Sequence, residues 1–203
     1  MNMLGRVKLS LADPLQSFKY FERFIATFCI LIPILLRATD TGPVKGFRGS
    51  ISDYVYMPHS YVFGMLMCIA AMLFVFNGAV YYKSEQHMNI SWHGQWYNLI
   101  LGLSLIGVIC FPWKEYSVVH FSFAAIFFVG NAIVTGIFYK DKDKKKSIAM
   151  AILTLAAIPF AIAGKISVLA AEWISLTVIG IHFALTTIDM DTQVTESKPK
   201  TLL

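Results

Sequence analysis

Residues 60–82 read SYVFGMLMCIAAMLFVFNGAVYY, with no charged side chain among them. As a helix rising 1.5 Å per residue this stretch is about 34 Å long, enough to cross the roughly 30 Å of hydrocarbon in a bilayer. Apolar blocks of similar length recur on both sides of it. An outer-membrane barrel strand would alternate apolar and polar positions, and that alternation is absent. The reading is therefore all-α, a polytopic transmembrane bundle.

Working outward from residues 60–82 gives six helices. Helix 1 runs from about Phe18 or Phe24 to Leu36 and is closed by Arg37. A polar segment with three glycines and a proline covers 38–53, and helix 2 covers about Pro58 to Tyr82. A polar loop leads to helix 3, about Gln95 to Phe111, which Pro112 and Trp113 stop. Helix 4 covers about Tyr116 to Tyr139. The charged run Lys140 to Lys146 is a solvated loop. Helix 5 covers Ser147 to Ala163 with a kink expected at Pro159. Gly164-Lys165 makes a tight turn, and helix 6 covers Ile166 to Ile188.

The domain reading follows. Residues 1–23 form an interfacial N-terminal segment, with Leu11, Leu15, Phe18 and Phe21 to Phe24 on its apolar side and Lys8, Lys19 and Arg23 on its wet side. Residues 24–188 form the six-helix transmembrane domain, and 189–203 a disordered cytoplasmic tail. No cleaved signal peptide is expected, because the apolar core starts late and no small-residue cleavage site follows it.

Composition agrees. Of 203 residues 57% are hydrophobic and 14% charged, against about 25% charged in soluble domains. Cys29, Cys68 and Cys110 sit in apolar segments with neither a CxxC nor a metal spacing, and read as small buried hydrophobes. The net charge of +5 is spread over several loops, which argues against a nucleic-acid partner. With six spans, the N-terminus, loops 2–3 and 4–5 and the tail carry 12 of the 17 Lys and Arg, and the opposite side carries 5. Positive residues mark the cytoplasmic side, so both termini are expected there, in a cytoplasmic (inner) membrane. Tyr81, Tyr82, Trp92, Trp96 and Tyr139 fit an inner aromatic belt.

Polar groups at membrane depth need a reason, because burying them in hydrocarbon is costly. Glu172 lies about two turns into helix 6 from its outer end, and His120 about one turn into helix 4. The 38–59 segment delivers Ser50, Ser52, Asp53, Tyr54, Tyr56 and His59 to the same level, beside Trp113 and Trp173. An outward-facing pocket is expected there, with Glu172 and His120 paired as anchors and Tyr54, Tyr56 and His59 as a lid. The plainer reading is that Glu172 and His120 tie helices 4 and 6 together, and that Asp53 and His59 serve a turn or a cap. In the other half Asn77, Asn98, Asn131, Thr135 and His182 read as interhelical hydrogen-bonding glue. Gly102, Gly107, Gly130, Gly136 and Gly180 favour close helix packing. The phenylalanines Phe121, Phe123, Phe127 and Phe128 read as bulk facing lipid and neighbours. Phosphate-binding glycine loops, HExxH and GxSxG are absent.

The run Ser50-Ile-Ser-Asp-Tyr-Val-Tyr-Met-Pro58 resembles a group of small bacterial integral membrane proteins of unknown function, in which a Ser-Ile-Ser-x-Tyr loop follows helix 1. The similarity extends through Asn98 to Pro112, through His120 with Ala124 to Phe128, and to Glu172. Where that group carries an Arg-Asp pair after the proline, this chain has Ser60-Tyr61. The resemblance implies a fold and candidate positions but no activity. A looser similarity is to the CREST membrane hydrolases, which use Ser, Asp and three His around zinc; the His-x-x-x-His of their last helix is missing here.

Four readings stay open. The first is a non-catalytic protein that binds a membrane lipid or small amphipathic ligand at Glu172, His120, Tyr54, Tyr56, His59, Asp53 and Ser52, with no cofactor. The second is a lipid hydrolase using zinc held by His59, His120 and Glu172. The third is a small transporter or proton-coupled channel running from Glu172 to His182, and the fourth an accessory subunit of a larger membrane complex. A homo-oligomer is compatible with each.

Overall fold

The computed structural model describes residues 14–84, 97–137 and 144–197, with side chains described over 20–79, 97–136 and 144–185. Among them are six α-helices: α1 (Pro14–Thr39), α2 (Ser60–Ser84), α3 (Asn98–Cys110), α4 (Ser117–Ile137), α5 (Lys144–Ile162) and α6 (Val168–Ser197). A short 3-10 helix, Ser52–Tyr56, lies in the α1–α2 connection. The side chains of the expected aromatic belt, the interfacial face around Leu11 and all but the first two residues of the expected 83–93 loop fall outside the described positions.

Each helix packs against the next in sequence, and α6 packs back on α1, closing a six-membered ring; α4 and α6 also touch across it. In lipid, association gains little from the hydrophobic effect and relies on close van der Waals packing, which small residues permit. A Cβ on Gly102 would lie 2.7 Å from the Ala71 carbonyl oxygen of α2, and one on Gly180 2.8 Å from that of Ala26 in α1. Glycine is what lets these backbones approach. Inside the ring Phe74 meets Phe127 and Phe183 edge to face, at centroid separations of 5.4 and 5.5 Å. Phe127 is thus fully buried core, not lipid-facing bulk.

The outward surface is apolar where α2, α4, α5 and α6 face away from the ring, with Met65, Phe76, Phe121, Ile152 and Ile181 all exposed. Four helices, α2, α4, α5 and α6, are long and apolar enough to cross a membrane. Helix α3 is apolar but has 13 residues, and α1 carries Glu22, Arg23 and Arg37.

Two boundaries differ from the sequence reading. Helix α1 starts at Pro14, where the missing N–H costs nothing at a first helical position, and continues unbroken through residue 23 to Thr39. Helix α6 continues to Ser197, nine residues into the stretch read as a disordered tail. No glycine or proline interrupts it before Pro199, so nothing local stops the helix.

Candidate functional site

The connection from Asp40 to His59 folds over one end of the ring. Two ties anchor its start. Arg48 donates to both carboxylate oxygens of Asp40, at 2.6 and 3.1 Å, a bidentate pairing with directional strength. Gly42 N–H donates to the same carboxylate at 2.9 Å. The Arg48 guanidinium, through these bonds, holds the Asp40 carboxyl below its ordinary range.

The middle of the connection is held by α6 and the α3–α4 turn. Leu169 N–H donates to the Gly49 carbonyl at 2.7 Å. The Glu172 carboxylate accepts the Ile51 N–H at 2.5 Å. Trp113 Nε1–H donates to Asp53 at 2.9 Å. Tyr56 donates to Glu115 at 2.8 Å and accepts from Lys114 N–H at 3.1 Å, while the Lys114 ammonium sits 4.1 Å over the Tyr56 ring. Loss of water around Tyr56 raises its phenol, and the same cause raises that of Tyr54. These contacts bring the α1–α2 connection, the start of α4 and the start of α6 to one end of the bundle.

Beneath the connection lies a cavity of about 30 Å³, reached by α1, α2, α3, α4, α6 and residues 51–52. That is room for only a few water-sized molecules. Its polar corner is Glu172, His120 and Ser52. Met67, Leu105 and Leu176 form the walls, Phe74 and Phe127 the floor, and Cys29 faces it from α1. His120 is 3% exposed, and its Nδ1 lies 2.7 Å from the Phe111 carbonyl oxygen. A carbonyl can only accept, so Nδ1 carries the proton. Glu172 is only partly buried.

The sequence-derived candidates separate into three groups. Glu172, His120 and Ser52 meet at the cavity, but the expected Glu172–His120 pair is replaced by a backbone partner for each. Tyr54 is fully buried and turned toward its own loop, its hydroxyl 3.4 Å from Arg48 N. Asp53 and Tyr56 fasten the connection to the α3–α4 turn. His59 is exposed, edge-on to Tyr61 at 5.7 Å, and does not join the cavity. Among the described residues no three of His, Cys, Asp and Glu gather to hold a metal ion, and of His59, His120 and Glu172 only the last two line the cavity.

The opposite half holds a polar chain that sequence reasoning caught only in part. Asn98 donates to Asn77 at 2.6 Å, and Asn77 donates to Glu22 at 3.3 Å. Glu22 is 0% exposed, although the sequence reading put it in the interfacial segment. The signal was present: Glu22, Ile25, Ala26, Cys29, Ile32 and Leu36 fall on one buried stripe of α1, spaced three and four apart as a packed helix face requires. Asn131 donates to Phe127 O within its own helix, at 2.7 Å, rather than to a neighbouring helix.

An apolar-surfaced ring of helices, four of them of spanning length, defines a helical integral membrane protein with a small cavity capped at one end. Residues 31–187 match the model of a family of unknown function, DUF7103, and the chain belongs to that family. No curated protein and no solved structure matches it.

Proposed function

We propose that the protein is a six-span protein of a cytoplasmic membrane, with both termini inside, that binds a small amphipathic ligand such as a lipid in the outer half of its bundle. Helices α1 and α3 complete the six spans, and the 12-to-5 distribution of Lys and Arg supports the orientation. The single observation that carries the reading is the cavity itself: a carboxylate, an imidazole and a hydroxyl at its top and apolar walls below. A polar end would seat against Glu172 and His120, and an apolar chain would run down toward Phe74 and Phe127.

At about 30 Å³ the cavity is closed to such a molecule, so binding requires residues 49–53 to lift from α6. A ligand that binds the open state shifts the population toward it by its differential affinity for the two states. Purified wild type and Glu172→Gln should both fold, while the variant should lose most of the small molecule that co-purifies with the wild type, read by mass spectrometry of extracted lipids. Identical extracts from the two proteins would overturn the reading.

Transport through the bundle is disfavoured by one observation. The contacting rings of Phe74, Phe127 and Phe183 fill the ring below the cavity, and Ser175 bonds back to the Ala171 carbonyl at 2.8 Å rather than facing a path.

A further inference from the structure

Resting on that reading, we propose that the cavity selects amphiphiles whose head group donates hydrogen bonds and carries no negative charge: a hydroxyl or an amine on an apolar chain. The argument is an inventory of what the polar corner offers. Glu172 spends one oxygen on Ile51 N–H, which leaves its second oxygen to accept. His120 has committed Nδ1–H to the Phe111 carbonyl, which leaves Nε2 as the ring's remaining polar atom. Ser52 Oγ lies 3.1 Å from Ser50 Oγ, and Ser50 Oγ in turn accepts Asp53 N–H at 3.0 Å.

Acceptors therefore outnumber donors, and no lysine or arginine is among the residues lining the cavity. Three of the five cations at this end of the bundle are engaged elsewhere: Arg48 is clamped on Asp40, Arg37 donates to the Asp40 carbonyl, and Lys114 is stacked over Tyr56. A carboxylate or phosphate head group would meet Glu172 with no counter-charge, which a low-dielectric site penalises heavily. A hydroxyl would donate to Glu172 or His120. An ammonium would pair with Glu172.

The test uses the full-length protein in detergent at neutral pH and four probes that share one chain: dodecanol, dodecylamine, dodecanoate and dodecyl phosphate. Affinities are read by native mass spectrometry. The wild type should bind the alcohol and the amine at least about fivefold more tightly than either anion, the low end of what an unmet polar contact costs. Ala70→Val, which grows a side chain lining the cavity, should abolish that binding. If Ala70→Val does not fold, Glu172→Gln serves in its place and should lose most of the binding of both the alcohol and the amine.

Anions that bind as tightly as the alcohol, with binding lost in Ala70→Val, would overturn the donor rule and leave the ligand site standing. Binding of none of the four would sink the ligand site itself. A donor preference indifferent to both variants would place the binding elsewhere and overturn the inference.

Discussion

The Glu172 carboxylate of α6 accepts the backbone N–H of Ile51 at 2.5 Å, so a side chain in the last helix holds the first long connection of the chain in place. This bond separates structure from binding by substitution. Glu172→Gln keeps an oxygen that accepts from Ile51, and should cost less than about 1 kcal/mol. Glu172→Leu leaves the N–H unmet and should cost about 1–3 kcal/mol. Thermal unfolding in detergent measures both, and limited proteolysis of residues 40–59 should speed up only in the leucine variant.

Acid should undo the other anchor. Arg48 holds the Asp40 carboxyl below its ordinary 3.8. A carboxyl depressed in the folded state contributes stability that is fully present above its unfolded pKa and is lost as pH falls through the folded value. Arg48→Met should therefore cost about 2 kcal/mol at pH 7, a charge-assisted bond's usual contribution. The gap between variant and wild type should close as pH drops below about 4. Unfolding midpoints from pH 7 to 3 check the sign, and a gap that widens in acid would contradict it.

Helix approach at Gly102 and Gly180 should tolerate no larger residue. Gly102→Leu and Gly180→Leu each push a side chain into the backbone of a neighbouring helix, and overpacking of this kind costs about 1–3 kcal/mol or more. Both variants should show lowered unfolding temperatures and broadened size-exclusion profiles. Gly46, with a φ of 89°, belongs to a different class: open space surrounds it, so Gly46→Asn should be nearly silent, because asparagine adopts that left-handed backbone at small cost.

The buried chain from Asn98 through Asn77 to Glu22 should show measurable but modest coupling. A double-mutant cycle on Asn77→Leu and Asn98→Leu should give about 0.6–1.7 kcal/mol, the range for interhelical hydrogen bonds in membrane proteins. A coupling indistinguishable from zero would mean that the amides act independently.

How much of this was legible in the sequence depends on the kind of signal. The helices were, because an uncharged run such as residues 60–82 has few other stable forms in hydrocarbon. The meeting of Glu172, His120 and Ser52 at one end was also legible, since counting spans fixes which helix ends share a side. Their partners were not. Ile51 N–H and the Phe111 carbonyl are backbone groups that every residue type supplies, so no residue type marks them in advance. His59 and Tyr56 were misplaced for a related reason: a loop's residues reach one level together, yet its backbone turns decide which of them point inward. Glu22 was missed because its charge outweighed its position on the packed stripe of α1.

Cys29 offers the most direct test of a cavity that opens under the 40–59 connection. It lines that cavity, whereas Cys68 and Cys110 are exposed on the outer surface of the bundle. In a Cys68→Ala, Cys110→Ala background, N-ethylmaleimide should modify Cys29 slowly. Labelling should accelerate when Glu172→Leu or Arg48→Met loosens the connection, and in Arg48→Met, which keeps Glu172, it should slow again when dodecanol is added. Labelling at one rate in all of these proteins, with or without the alcohol, would contradict the account.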